Sequence, residues 1–134
     1  MINGTLPKRM NDPWGSGEFG ASRGTRTHKG IDYACYPDTE IQTPVDGVIT
    51  KLGYPYGDDL SFRYVEVMAN DGLRHRLFYV EPTCVHGDEV HAGDVVGSSQ
   101  DISSRYRDPS KPAMINHVHY EILDDAGDPV NPEA

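Results

Sequence analysis

The sequence predicts an all-β fold, a single antiparallel β-sheet domain with little helix. Three observations carry that expectation. The 134 residues include 14 Gly and 10 Pro, and no stretch rich in Ala, Leu, Glu and Lys is long enough to suggest a helical bundle. Several runs alternate polar and apolar residues with period two, the signature of a strand. Two such runs flank Asn70-Asp71-Gly72, a strong hairpin signal. A chain of this length is expected to form one domain, 1–134, with a core of its own.

The elements follow in order. Residues 1–27 are rich in Pro and Gly and read as an irregular approach. Trp14 and Phe19 are its expected anchors onto the core. The stretch from Thr27 to Ala34 leads into the first strand. Residues 41–54 bend at Pro44 and Asp46-Gly47 and then alternate as a strand over 48–52. Residues 62–68 and 73–80 are the arms of the hairpin, and Pro82 stops the second. Residues 86–97 form a short turn-and-strand unit. Residues 98–113 make a long polar loop, and loops of that length are often functional. The last strand, 115–123, is followed by a turn at 124–128.

Composition excludes several classes of function. The formal net charge is -9, which disfavours nucleic acid and anionic membranes as partners, since both reward Lys and Arg. No apolar run approaches the length of a membrane span, and the N-terminus lacks the apolar core of a signal peptide. The protein is therefore expected to be made in the cytoplasm, and to be a monomer. Cys35 and Cys84 are too few and too far apart for a disulfide scaffold and read as reduced thiols.

The chemistry concentrates in the run 115–123. Strand alternation puts His117 and His119 on one face, with Glu121 beyond them, and Val118, Tyr120 and Ile122 on the other, toward a core. Imidazole is a common zinc ligand. His28 and Asp32 are four residues apart, a spacing that shares one face, and Gly30 between them allows close backbone approach. With His119 they make a set of two histidines and one carboxylate. Three protein ligands leave an open fourth position, as in catalytic rather than structural zinc sites. His117, beside the metal but not on it, suits a general acid/base or an oxyanion donor. Glu121 could orient a ligating histidine from behind. Tyr54, Tyr56 and Tyr106 sit in loops that could wall a groove.

These residues resemble the lysostaphin/LytM-type zinc endopeptidases. The motifs are His28-Lys29-Gly30-Ile31-Asp32, Thr43-Pro44-Val45-Asp46-Gly47-Val48-Ile49, Gly87-Asp88-Glu89-Val90 with Ala92-Gly93-Asp94-Val95-Val96-Gly97, His117-Val118-His119-Tyr120-Glu121-Ile122, and the closing Gly127-Asp128-Pro129-Val130-Asn131-Pro132. Their order matches over roughly residues 18 to 132. The resemblance implies a LytM-like distorted sandwich with zinc in a long groove, and hydrolysis of peptide bonds in bacterial peptidoglycan. By motif position it implies His28, Asp32 and His119 as zinc ligands and His117 as a catalytic histidine. The absence of a signal peptide resembles stand-alone lysins or virion components of bacteriophages, which reach the wall after release.

The chain departs from that pattern at one position. Where the family has a Tyr-x-His histidine, this sequence reads Tyr79-Val80-Glu81. Three readings stand. Glu81 acts as the base, as a glutamate does in other zinc peptidases. Alternatively another histidine, His75 or His86, substitutes, or His117 acts alone. In the third, the domain keeps zinc but hydrolyses weakly or not at all and serves as a wall-binding or virion component. A lipoyl-like carrier domain would also suit some of the glycine motifs, but it needs a lysine at a hairpin tip, and Lys51 falls mid-strand.

Overall fold

The computed structural model describes residues 2–4, 6–9, 17–20, 29–106 and 108–132, together with the backbone of 22–23 and 26–27. Among them the strands are β1 (Ser22–Arg23), β2 (Arg26–Thr27), β3 (Ile31–Ala34), β4 (Glu40–Gln42), β5 (Gly47–Gly53), β6 (Tyr64–Ala69), β7 (Arg74–Phe78), β8 (Val80–Pro82), β9 (Glu89–Val90), β10 (Val95–Ser99), β11 (His117–Leu123) and β12 (Pro129–Val130). Among the described residues the helical content is one 3-10 turn, Ile102–Ser104, inside the long loop. The all-β expectation holds, and every strand pairing is antiparallel.

The main sheet has seven strands. Its path runs β12-β11-β7-β6-β5-β9, with β3 also paired to β11. A smaller sheet runs β4-β10-β8, and β1 pairs with β2. The hairpin β6–β7 lies at the centre of the large sheet, where Asn70-Asp71-Gly72 turns it. Gly72 takes a φ of +85°, which a side chain would resist, and the Asp71 carboxylate accepts the Leu73 N–H. Alternation then sorts the side chains. Val65, Val67, Leu77, Val118, Tyr120 and Ile122 join Ile31, Tyr33, Ile41, Ile49, Val80 and Val96 in the core. The opposite face carries Glu66, Arg76, Glu121, His119 and Asp32, which meet one another through hydrogen bonds and ion pairs.

One strand boundary differs from expectation. The run expected over 73–80 ends at Phe78, because Tyr79 adopts the left-handed conformation with φ +67°. The Arg63 carbonyl accepts the N–H groups of both Tyr79 and Val80, which holds the kink. Beyond it the chain leaves the large sheet, and β8 pairs with β10. An extended strand through 81 would have kept His75, Tyr79 and Glu81 in one parity. The kink breaks that parity.

The N-terminal arm lies along β3. Ala34 donates its N–H to the Pro7 carbonyl, Arg9 donates to Asp32 O, and Asp32 donates to Gly17 O. Ile2 is fully buried, and Phe19 packs against the core as expected. Trp14, the other expected anchor, lies outside the described residues. Cys35 and Cys84 are free, half-buried thiols whose pKa values burial pushes up. Among the described residues no helix is long and apolar enough to cross a membrane.

Candidate metal centre and active site

The site forms where β3 meets β11. The register sets Asp32 directly opposite His119, and His119 in turn opposite Phe78 of β7. Gly30 makes this approach possible: a Cβ there would lie 2.2 Å from the Tyr120 carbonyl oxygen and 3.0 Å from His119 Cε1. The His119 Nδ1 atom lies 3.0 Å from Asp32 Oδ1, and its Nε2 lies 2.9 Å from Glu121 Oε1. Glu121, on the same face as expected, thus holds the His119 ring from its Nε2 side. The Phe78 ring meets the His119 ring edge to face at 5.2 Å.

His117 lies one step along the same strand. Its Nδ1 is 2.8 Å from the Ile115 carbonyl, which accepts a proton-bearing nitrogen there. Its Nε2 faces Asp32 Oδ2 at 3.5 Å. Burial lowers its pKa, against the pull of the Asp32 carboxylate. With Nδ1–H bonded to the Ile115 carbonyl, Nε2 is the nitrogen left to accept a proton, and the Asp32 carboxylate beside it would stabilise the cation formed.

His119 behaves differently. Burial alone would lower its pKa, but hydrogen bonds to the Asp32 and Glu121 carboxylates push it up to about 9. Both ring nitrogens face carboxylate oxygens, and a carboxylate only accepts. A cationic group must stand between Nδ1 and Asp32 Oδ1, and a proton fills that need on the ring. A divalent metal would replace that proton, while Glu121 keeps the Nε2 hydrogen, the usual partner arrangement for a ligating histidine. Asp32 and His119 would therefore supply two of the donors that a zinc ion needs. His28, the third expected ligand, lies outside the described residues. Among the described residues no group of three His, Cys, Asp or Glu side chains is arranged to hold a metal.

Asp32 is the hub. Besides the two histidines, Arg9 of the arm reaches Asp32 Oδ2 with Nη1 at 3.3 Å, and both side chains are buried. Sequence reasoning missed Arg9, since nothing in its neighbourhood marks it. It also missed Tyr79, whose ring packs edge to face on His117 with centroids 5.7 Å apart. Burial pushes the Tyr79 phenol up to about 12, so it remains a hydrogen-bond donor. Its hydroxyl meets that of Tyr56 at 3.4 Å, and Tyr56 meets Tyr106 at 2.7 Å. Arg105 lies 3.7 Å over the Tyr56 ring and 3.3 Å from Asp58, tying the long loop to the 54–59 loop. Of the three tyrosines expected to wall a groove, Tyr56 and Tyr106 join this cluster beside Tyr79, whereas Tyr54 is half-exposed under the Arg63 guanidinium.

The kink at Tyr79 decides where Glu81 goes. It lies exposed on β8, opposite Ser98, with its carboxylate 3.5 Å from Gln100 Nε2. Among the described residues, no hydrogen bond or ion pair joins it to Asp32, His117 or His119. The two histidines weighed as substitutes are elsewhere. His75 is on the core face, its Nδ1 2.7 Å from the Tyr120 hydroxyl, and His86 is exposed in the turn before β9.

Comparison with known proteins decides the family. The sequence model of peptidase family M23 matches residues 26–132. The chain belongs to peptidase family M23. Its fold is that of the LytM-type domain. The catalytic domain of the prophage-encoded M23 protein EnpA from Enterococcus faecalis, solved as a point mutant, is 24% identical, with a TM-score of 0.68 over 96% of each chain. The catalytic domain of lysostaphin, an antimicrobial peptidase from Staphylococcus simulans, is 18% identical, with a TM-score of 0.69 over 98% of this chain and 92% of that one. Leukocyte cell-derived chemotaxin-2 of Mus musculus is 26% identical over 116 residues, 87% of this chain and 73% of that protein.

Proposed function

We propose that this M23 domain is a zinc-dependent endopeptidase that hydrolyses peptide bonds of bacterial peptidoglycan. The observation that carries the reading is the Asp32–His119 pair, with Nδ1 and Oδ1 3.0 Å apart and Glu121 bonded behind the ring. Asp32 and His119 would hold the ion together with His28. Zinc supplies Lewis acidity toward the scissile carbonyl and the attacking water. His117 Nε2 takes a proton from the attacking water and returns it to the amine that leaves. Tyr79 limits the rotation of the His117 ring and keeps that nitrogen aimed into the site. Asp32 Oδ2, shared with Arg9, stabilises the imidazolium that His117 becomes.

His117 and Glu81 were the two expected proton carriers. The transfers fall to His117, because Glu81 bonds Gln100 at the exposed edge of β8. The same observation favours a second reading, a zinc-bearing domain that binds the wall and cleaves it slowly or not at all. Likeness to a prophage-encoded M23 protein suits a lysin or virion-associated role. The net charge of -9 offers no bulk attraction to an anionic wall, so binding would rest on local contacts.

The deciding experiment is release of peptides from purified peptidoglycan by the zinc-loaded protein, with and without a chelator. Chelator-sensitive release, lost in His117→Ala, supports the peptidase. Zinc binding and wall binding without release would support the second reading and overturn the first.

A further inference from the structure

Behind Glu121 the charge network continues across three more strands. Glu121 Oε2 lies 3.8 Å from Arg76 Nη1 on β7, its cross-strand partner. Arg76 Nε donates to Glu66 Oε2 on β6 at 2.6 Å, again across the register. Thr50, in the irregular stretch of β5, donates its hydroxyl to Glu66 Oε1 at 2.9 Å. Glu66 and Glu121 are both buried. Arg76 is the cation between them, and its guanidinium also lies 5.4 Å from the Tyr64 ring centre.

Buried carboxylates are costly, and a plain sheet face would be filled by apolar side chains at lower cost. The distances give this ladder a direction. Arg76 is drawn tightly to Glu66 and held at a longer distance from Glu121. Its Nε is thereby committed to Glu66, and Glu121 keeps Oε1 on the Nε2–H of His119. Without Glu66, nothing would stop Arg76 from closing on Glu121 as a two-point pair. Glu121 would then be drawn off His119, and the ring would be free to rotate.

We propose that Glu66, Arg76 and Glu121 form a positioning ladder that fixes the ring orientation of His119, with Nε2–H held by Glu121 and Nδ1 presented to Asp32. The proposal rests on the metal-centre reading for its consequence, a controlled affinity for zinc, and on the hydrogen bonds alone for its first part. Glu66 and Arg76 are thereby positioning residues, two strands and one strand removed from the ligand strand.

Two readouts test it on the full chain. The first is the imidazole N–H resonance of His119 in metal-free protein, observed by long-range proton–nitrogen NMR. The second is zinc affinity by titration calorimetry. Glu121→Gln is expected to weaken zinc binding by about 10- to 100-fold, the range for loss of an outer-shell partner, and Glu66→Gln by on the order of tenfold. In Glu66→Gln and Arg76→Met the His119 Nε2–H signal is expected to broaden or vanish through exchange with water. Arg76→Lys keeps the charge but lacks the fork, so it is expected to recover thermal stability over Arg76→Met without restoring that signal. Variants that lower thermal stability yet leave both the N–H signal and the zinc affinity unchanged would overturn the ladder. If wild type binds no zinc, the metal-centre reading falls. The N–H signal then decides the ladder by itself: its loss in Glu66→Gln supports the ladder, and its survival overturns it.

Discussion

His119 and Asp32 face each other in register across β11 and β3, with Nδ1 3.0 Å from Oδ1. Neither residue could be placed there by its own strand. The contact depends on two strands far apart in sequence, brought together at a glycine. The roles of the neighbouring groups follow from it, because Asp32 also receives Arg9 and His117.

His119→Ala and His117→Ala should separate binding from chemistry. Zinc at about 100 times its Kd should stabilise the wild-type protein by ~2.7 kcal/mol through mass action. That increment should disappear in His119→Ala and persist in His117→Ala, while peptide release is lost in both. Thermal unfolding with and without zinc makes the measurement. The reverse pattern, metal lost in His117→Ala and kept in His119→Ala, would exchange the two assignments.

Gly30→Ala should damage both fold and site. The new Cβ would stand 2.2 Å from the Tyr120 carbonyl oxygen, an atom fixed in a paired strand, so the strands themselves must part. A cost of about 1–3 kcal/mol, the usual scale of overpacking, is expected in urea unfolding. Zinc affinity should fall with it, since separating β3 from β11 moves Asp32 away from His119.

Position 81 can be tested in both directions. Glu81→Gln should leave peptide release within about twofold of wild type, since Glu81 bonds Gln100 rather than the cluster. A large loss would make Glu81 the base after all. Glu81→His should raise release if a second proton carrier is the missing component, and a positioned acid/base is worth ~10²–10⁴-fold.

His75 should leave a mark on the pH dependence of stability. Its ring is buried against the Tyr120 hydroxyl, with Asp71 as the nearby carboxylate, and burial lowers its pKa below the ordinary value. Above about pH 6.5 folded and unfolded chains both hold it neutral, so its contribution there is complete. As pH falls, the unfolded chain takes up the proton first, and stability is lost down through the lowered folded value. The difference in unfolding free energy between wild type and His75→Gln, followed from pH 8 to pH 4, should therefore shrink on acidification. A pH-independent difference would contradict it.

Much of the fold was legible because alternation is local. The hairpin at Asn70-Asp71-Gly72, the core face of β11 and the turn at residues 124–128 all follow from neighbours in sequence. Of the site, Asp32, His117, His119 and Glu121 were legible from spacing and motif. Arg9 and Tyr79 were not. Arg9 reaches Asp32 because the arm runs along the edge of β3, and Tyr79 reaches His117 because one residue adopts a left-handed conformation. A signal for Arg76 did exist: it sits mid-strand in an alternating run, where Glu66 and Glu121 occupy similar positions.

The amino-acid sequence by itself determined an antiparallel β domain of the LytM type and pointed to Asp32, His117, His119 and Glu121 as its concentration of chemistry. Those conclusions rest on side-chain periodicity and motif order, which neighbouring residues carry. Only the tertiary structure decided which groups share the site. Antiparallel register placed Asp32 opposite His119, and Gly30 let the strands close. The kink at Tyr79 sent Glu81 to another sheet and put a phenol beside His117 instead. Such outcomes depend on backbone dihedrals and on contacts between distant strands, and no local pattern encodes either.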